Sequence, residues 1–360
     1  MPEPALFECL PQLKGRVPFT LLGQWPTALE PLKLKGFEGR DLFVKREDLS
    51  SPIYGGNKIR TLETLLAQAL ERGARTVWST GAYGSNHALA AALHAPRLGL
   101  APAALLFPQP PTLTAADNLA RLVSLGVRLR ALRSIALFPL RLAVLYTSKL
   151  HFVMLPGGAV AVGALGHVGA ALELAQQVRA ATAPWPRHLI VPAGSICTVA
   201  GLLAGIAAAR AMDLWAGPAP CVHAIRVTPW PVTAKARMTA LARRTASLIA
   251  RLGAAAGNLA DICSRLEVHG RYLGRGYGKP SERGQAVINE LGGTLPFPLE
   301  STYSAKATAG LLDLLPRLDG AAVFWSTKSS APLPPLDPSR LELAPVHVQR
   351  WLARAGLRAK

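Results

Sequence analysis

A glycine-rich turn reads Tyr54-Gly55-Gly56-Asn57-Lys58-Ile59-Arg60 and joins two contrasting stretches of the chain. The preceding residues 41–45 are mostly apolar and predict a short strand. Apolar residues then recur at positions 59, 62, 65, 66, 69 and 70, a spacing that predicts one face of a helix over residues 57–72. Lys58 therefore lies where a strand gives way to a helix, among other cations that would lower its pKa. Such an amine can attack a carbonyl group, although a solvated surface cation is the ordinary alternative.

Strands and helices alternate along most of the chain. Further strands are predicted at 77–78, 103–107, 127–132, 152–155, 189–191, 222–227 and 321–325, and further helices at 85–98, 115–125, 166–178, 198–210, 235–252 and 282–291. Strands separated by helices form mainly parallel sheets with covered faces, so the sequence predicts an α/β fold. Ligands of such folds bind at the carboxyl ends of the strands.

Two further turns carry polar residues at such ends. The first reads Gly84-Ser85-Asn86-His87, and the second reads Gly194-Ser195-Ile196-Cys197-Thr198. A helix N-terminus has free N–H groups and a partial positive charge, so the second turn suits a phosphate group. Ordinary helix capping is the alternative for both turns. A nucleophilic lysine and a phosphate site on one sheet are the two anchors of pyridoxal phosphate (PLP).

Composition narrows the class of protein. The chain has 360 residues, of which 50% are hydrophobic and 6% aromatic, and its formal net charge is +19. Because the arginines are dispersed rather than packed in blocks, we expect no specific nucleic-acid partner. The alternative is a basic scaffold that contacts nucleic acid without catalysis.

The sequence also gives expectations about location and metals. Residues 1–16 do not resemble a signal peptide, and the longest apolar runs, such as 198–209, are too short to span a membrane. The four cysteines form no CxxC pair, and neither they nor the histidines have the spacing of a zinc site. We therefore expect a cytoplasmic protein with no membrane contact and no bound metal.

Taken in order, these motifs resemble the D-cysteine desulfhydrase and 1-aminocyclopropane-1-carboxylate (ACC) deaminase group of type II PLP enzymes. The resemblance extends from about Leu42 to Thr327. It includes the segments 44–48, 55–58 with 62–63, 85–87, 156–158 with 163–166, 194–195 with 198–202, and 276–278, and it ends with Tyr303, Lys306 and 309–311. Ordered motifs over this length are far more specific than any single one.

The resemblance implies two α/β domains around a cofactor cleft, PLP as cofactor, and a role for each matching residue. Lys58 would carry PLP as a Schiff base, Asn86 would hold the ring hydroxyl, and Thr327 would face the pyridine nitrogen. The phosphate would be held by Gly194, Ser195, Ile196, Cys197 and Thr198. Ser85 would act near the substrate α-carbon or carboxylate, and Tyr277 and Tyr303 would shape the pocket and move protons. The alternatives are a helix cap for Ser85 and core packing for the two tyrosines. His87 is expected behind the residues that contact the cofactor and substrate.

The resemblance also implies a domain plan. We expect the large domain to comprise 1–60 and 165–330, the small mobile domain 61–164, and a C-terminal tail 331–360 with a short basic helix. The proline-rich first 40 residues would wrap the large domain or a neighbouring subunit. The implied assembly is a homodimer, and the implied substrate is a small amino acid.

Three departures from the family pattern bear on the reaction. Ser304 follows Tyr303 where ACC deaminases have an acidic residue, which favours β-elimination to a keto acid and ammonia over the alternative, opening of a cyclopropane ring. Ile196-Cys197 and Lys328-Ser329 each stand where the family has paired glycines. A β-branched residue in a left-handed turn is unusual. A catalytically impaired homologue that only binds is therefore a further alternative.

Overall fold

The structure is a computed structural model that describes residues 3–357. Within them the strands are β1 (Leu29–Pro31), β2 (Leu42–Lys45), β3 (Thr76–Ala82), β4 (Ala101–Phe107), β5 (Arg128–Ala131), β6 (His151–Met154), β7 (His188–Ala193), β8 (Cys221–Arg226), β9 (Leu266–His269) and β10 (Ala322–Trp325). They form a six-stranded sheet in the order β1-β2-β10-β7-β8-β9 and a four-stranded sheet in the order β5-β4-β3-β6. All neighbours are parallel except the pair β1–β2.

Helices cover both sheets. The α-helices are α1 (Ala5–Cys9), α2 (Lys58–Glu71), α3 (Asn86–His94), α4 (Leu113–Ser124), α5 (Phe138–Leu145), α6 (Ala161–Arg179), α7 (Cys197–Ala211), α8 (Lys235–Arg251), α9 (Leu259–Ser264), α10 (Glu282–Leu291), α11 (Ser304–Leu314), α12 (Pro338–Glu342) and α13 (Val346–Arg354). Helices α1, α6, α7 and α8 share one apolar core with the large sheet. Helices α2, α3 and α4 share another with the small sheet. The predicted α/β fold with mainly parallel sheets is confirmed.

The first and the last two helices pack on different cores. Helix α1 adds Leu6 and Phe7 to the core of the large sheet. At the other end, Leu341, Val348 and Trp351 from α12 and α13 lie in the core of the small sheet. The domain boundaries remain predictions, but residues 338–354 are packed against the small sheet rather than free of it.

A buried ion cluster fixes the start of α2 against the large sheet. The Arg60 guanidinium lies 2.7 Å from Glu47 and 3.0 Å from Glu173, and the Lys45 ammonium contacts Glu173 as well. All four side chains are almost fully buried, so each charge depends on its partners. Because Arg60 is two residues after Lys58, the cluster also sets the position of Lys58.

Six elements were not predicted: β1, β9, α1, α5, α9 and α11. The C-terminal segment also has two short helices, α12 and α13, where one was predicted. The strands have three and four residues and lie at the two edges of the large sheet, so they show little apolar alternation. Among the described residues, no helix combines the length and the apolar character needed to cross a membrane.

Candidate active site

Lys58 is the first residue of α2, and its side chain is half-buried between the two sheets. Burial lowers the pKa of its ammonium, because a charge is less stable away from water. The amine lies 3.3 Å from the Ser195 hydroxyl. The turn that carries the predicted nucleophile and the turn predicted to hold phosphate are therefore in direct contact.

The turn after β7 presents a row of free N–H groups. Within the described residues, the backbone N–H groups of 195–199 donate to no protein acceptor, whereas the next one, of Ala200, bonds to the Ile196 carbonyl. These groups lie at the N-terminus of α7, where the helix dipole also favours an anion. Ile196 in this turn lies in the left-handed region, at φ 63°. A β-branched residue is strained in that conformation, so the altered sequence brings backbone strain to the turn.

Close approaches explain why two glycines border the site. A side chain at Gly194 would place its Cβ 2.7 Å from the Tyr303 ring. Gly56 has φ 92°, and a Cβ there would lie 2.6 Å from the Thr327 carbonyl oxygen. Both contacts are shorter than carbon atoms allow, so larger residues would push the turns apart.

The remaining hydroxyl and thiol groups of the turn face the protein. The Thr198 hydroxyl accepts a hydrogen bond from the Asn57 amide at 2.8 Å. The Cys197 thiol is buried and donates to the Gly158 carbonyl at 3.3 Å. Burial raises the pKa of this thiol to about 11. Thr198 and Cys197 therefore support the turn, and their backbone N–H groups are the parts that can reach a ligand.

Asn86 is held in a single orientation. Its Oδ1 accepts hydrogen bonds from Tyr54 Oη at 3.1 Å, Asn118 Nδ2 at 2.7 Å and Lys328 Nζ at 3.0 Å. Because three donors bond to this atom, it must be the oxygen of the amide and not the nitrogen. No acceptor among residues 3–357 bonds to Asn86 Nδ2. The amide is thus prepared to donate to an oxygen of a ligand.

Ser85, Tyr277 and Tyr303 complete the group of predicted residues. The Ser85 hydroxyl caps α3 by accepting from the Ala88 N–H at 3.2 Å, and it also lines the cavity. The Tyr277 and Tyr303 hydroxyls lie 2.9 Å apart. Burial raises the pKa of both phenols, and the neighbouring Tyr277 raises that of Tyr303 further. Both tyrosines are therefore neutral and can donate or accept a proton within this pair.

A cavity of about 670 Å³ opens beside these residues. Its lining includes Lys58, Ser85, Tyr277 and Tyr303, and Arg237, Arg275 and Lys279 contribute cations to it. A narrower pocket of about 20 Å³ continues from it between Lys58 and the turn of 194–198, reaching Thr327 and Lys328. The predicted site residues thus line these two connected pockets, except Cys197, whose side chain is buried in the protein behind them.

Sequence reasoning missed some residues near the site. His87, which was expected behind the first layer, borders the cavity with its side chain buried, and neither ring nitrogen has a protein partner within the described chain. Burial, with the Lys58 charge, lowers the pKa of His87 to about 3, so the ring is neutral. Tyr54 and Asn118 were missed as partners of Asn86. Tyr54 belongs to the quoted turn, which was a usable signal, but Asn118 comes from the middle of α4 and gave none.

These residues fit PLP. The free N–H groups of 195–199 suit its phosphate, the unpaired Asn86 Nδ2 suits its ring oxygen, and the Lys58 amine suits its aldehyde. Lys328 is accommodated beside the site because Asn86 and Tyr54 engage its ammonium, at 3.0 and 3.3 Å.

Comparison with known proteins agrees with this geometry. Residues 20–327 match the sequence profile of the family described as Pyridoxal-phosphate dependent enzyme. A Nocardicin C-9' epimerase from Nocardia uniformis subsp. tsuyamanensis is 34% identical over 337 residues, covering 89% of this chain and 98% of that protein. A D-cysteine desulfhydrase from Salmonella schwarzengrund is 32% identical over 302 residues, covering 80% of this chain and 85% of that protein.

Solved structures give the same result. The crystal structure of an ACC deaminase homologue superposes with a TM-score of 0.74 at 28% identity, covering 92% of this chain and 96% of that one. A threonine deaminase from tomato, Solanum lycopersicum, shares the fold at a TM-score of 0.55 and 16% identity, covering 98% of this chain and 94% of that one. With PLP as its cofactor, the chain belongs to the family of pyridoxal-phosphate dependent enzymes.

Proposed function

We propose that the protein is a lyase that removes the α-proton of a small amino acid and expels its β-substituent, giving a keto acid and ammonia, as in D-cysteine desulfhydration. The observation that carries this proposal is the position of the Lys58 amine, in contact with the turn of free N–H groups and on the wall of the cavity. The Lys58 amine is therefore adjacent both to the turn that can bind an anion and to the cavity that can hold a substrate.

The residues divide the chemistry between them. When bound, PLP withdraws electrons from the α-carbon of the amino acid. Lys58 is placed to serve as the base, because its amine lines the cavity and burial lowers the pKa of its ammonium. The free N–H groups of 195–199 hold the cofactor's anionic end, and Asn86 Nδ2 fixes its ring. Ser85 is placed to orient the substrate, and the Tyr277–Tyr303 pair can pass a proton to the leaving group.

Ser304 supports elimination over ring opening, because it stands where ACC deaminases resemble one another in having an acidic residue. Its hydroxyl accepts a hydrogen bond from the Glu300 N–H at 2.7 Å and is buried. It is thus engaged in the segment before α11, and its N–H in turn bonds to the Glu300 carboxylate at 2.9 Å. ACC ring opening remains the alternative within the same group.

Epimerisation at the α-carbon is a second candidate, favoured by the 34% identity to a protein named as an epimerase. Epimerisation also begins with removal of the α-proton, and it needs a second group that returns the proton. Lys58, Ser85 and Tyr303 all line the cavity, so the structure offers more than one group for this task.

Products distinguish the candidates. The PLP-loaded protein would be incubated in D₂O with D- and L-cysteine, ACC and other small amino acids, and keto acid, ammonia and sulfide would be measured together with deuterium at the α-carbon. We expect keto acid and sulfide from D-cysteine. Deuterium incorporation with inversion and no keto acid would instead establish an epimerase.

Lys58→Ala provides the first prediction. The variant should lose the absorbance band of lysine-bound cofactor and more than about 99% of activity, because Lys58 supplies the amine that contacts the turn of 194–198. Lys35→Ala, a change at an exposed lysine, is the matched control and should keep both. A wild-type protein that stays colourless after PLP addition would favour the impaired binding homologue instead.

A further inference from the structure

A second cluster of chemically active side chains lies on the large sheet, away from the cavity. Cys221 and His223 come from β8, and Glu267 and His269 come from the edge strand β9. His223 is paired in register with Glu267. Because side chains two residues apart lie on the same face of a strand, all four share one face. His188 from β7 adjoins them.

Three of these side chains place atoms that could bind a metal close to one another. His223 Nδ1 lies 3.0 Å from His269 Nε2 and 3.3 Å from Glu267 Oε2, and the last two atoms are 3.5 Å apart. A tetrahedral zinc ion with bonds of about 2.0–2.1 Å separates its ligand atoms by about 3.3 Å. The triangle already has the dimensions of one face of that tetrahedron.

Two residues behind His223 are also positioned to fix its orientation. His223 Nε2 lies 3.0 Å from His188 Nδ1, and His188 Nε2 lies 3.2 Å from the Asp319 carboxylate. Histidines that bind metals usually give their other N–H to such an acceptor, which fixes the ring and its tautomer. His223 is thereby oriented with Nδ1 toward Glu267 and His269.

The ring nitrogens are arranged so that each histidine can offer a lone pair. A neutral imidazole carries its proton on one ring nitrogen and offers the lone pair of the other. With its proton on Nε2, which faces His188, His223 would leave Nδ1 free for the ion. His269 would leave Nε2 free with its proton on Nδ1.

We propose that His223, Glu267 and His269 bind one zinc-like divalent transition metal ion, with the fourth position open to solvent beside the exposed Glu267. The three ligands lie in register with residues 190–192 of β7 and one or two strands to its side. They are therefore two to four residues before the turn of 194–198, roughly 7–13 Å along the strand direction at about 3.3 Å per residue. Such an ion would tie the edge strand β9 to β8 and stabilise the fold without touching the cofactor.

The expectation of no metal from sequence had a simple basis. His223 and His269 are 46 residues apart, and ligands from neighbouring strands form no short motif. Only the pairing of β8 with β9 brings these two histidines together.

The test uses untagged, PLP-loaded protein that has been freed of metals with a chelator and then titrated with Zn²⁺ by calorimetry. We expect one ion per chain, a raised Tm, and an unchanged absorbance band of the cofactor. Glu267→Gln and His269→Gln should each weaken Zn²⁺ binding at least tenfold. His347→Gln, a change at a histidine far from the cluster, should bind as the wild type does.

Two results would overturn the proposal. One is wild-type protein that binds no Zn²⁺ at micromolar concentration. The other is binding that Glu267→Gln leaves intact while Cys221→Ser removes it, since the ion would then lie elsewhere. Glu267 is 56% exposed, so its substitution should not unfold the chain, and the cofactor band reports that each variant is folded.

Discussion

At the scale of single residues, Ile196 combines two opposing effects. Its left-handed backbone costs about 1–2 kcal/mol for a branched residue. Its side chain, however, is 7% exposed and belongs to the core of the large sheet. Removing a buried isoleucine side chain costs about 2–5 kcal/mol, and a glycine adds flexibility to the unfolded chain. Burial therefore outweighs strain.

We predict that Ile196→Gly lowers the free energy of unfolding by about 1–3 kcal/mol. Ile196→Val is the control: it keeps the branched strain and should cost about 0.5–1.5 kcal/mol. Urea unfolding at fixed PLP concentration measures both. A glycine variant more stable than the wild type would mean that strain is the larger effect.

Glu63 in α2 should give the protein a distinctive pH dependence. Burial raises the pKa of its carboxyl from 4.5 to about 7, although the Leu22 and Gly23 N–H groups and the Trp25 ring donate to it. Between these two values the unfolded carboxyl is ionised while the folded one keeps its proton. The folded state then binds more protons, so this group's contribution to stability falls as pH rises from 4.5 to 7.

We predict that Glu63→Gln removes this loss. Relative to wild type, the variant should gain up to about 3 kcal/mol in free energy of unfolding between pH 4.5 and pH 8. Glu71→Gln, at the exposed end of the same helix, should show no such trend. Urea unfolding across this pH range is the measurement, and a pH-independent difference between variant and wild type would contradict it.

The site was only partly predictable from residues alone. Lys58, Ser85 and Asn86 could be placed because each follows a recognisable strand and opens a helix. The hydrogen bonds that orient Asn86 could not, because Tyr54, Asn118 and Lys328 come from three separate segments. Nothing in local sequence spacing reports such contacts.

At the scale of elements, α13 supports the turn that carries Ser85. Trp351 donates from its ring nitrogen to the Gln109 carbonyl at 2.8 Å and packs edge-to-face on Tyr83 at 5.2 Å. The Gln109 side chain in turn accepts from the Gly84 N–H at 3.1 Å. Helix α13 is thus linked through Gln109 to Gly84, the residue before Ser85.

We predict that Trp351→Phe lowers the free energy of unfolding by about 1–3 kcal/mol, because the Gln109 carbonyl loses its partner while remaining buried. The same substitution at Trp230, which is 71% exposed, should change it by less than about 0.5 kcal/mol. Thermal unfolding compares the two. Equal effects would show that α13 does not depend on this hydrogen bond.

Long, strongly periodic helices were the most predictable elements. Helices α2, α8 and α10 were found within about one residue of their ends, whereas α11 was missed. Its sequence of small residues packs against Ile225 so closely that a Cβ at Gly310 would lie 2.6 Å from that side chain. Its Ala and Leu residues favour a helix, but small buried side chains give it no clear apolar face that periodicity could detect.

At the scale of the whole molecule, one surface stands out. The segment 135–150 exposes a group of large apolar side chains: Ile135, Leu137, Leu140, Val144, Tyr146 and Leu150. Apolar surface of this kind is usually covered by a partner. It supports the homodimer expected from sequence, with this segment as part of the contact between copies.

We predict a dimer in light scattering coupled to size exclusion, and a shift toward monomer in Leu140→Asp, because a charge would be buried at the contact. Leu343→Asp is the control, since Leu343 is 84% exposed but lies outside this segment. A monomeric wild type, or equal effects of the two variants, would exclude this surface as the contact.

The three donors on Asn86 Oδ1 carry a consequence for how this protein could evolve. An amide with fewer donors could rotate by half a turn and exchange its oxygen for its nitrogen, which would face a ligand oxygen with the wrong group. Replacements at Lys328 should therefore be tolerated only together with compensating choices at Tyr54 or Asn118. In a library that randomises all three positions, the surviving combinations should show strong epistasis.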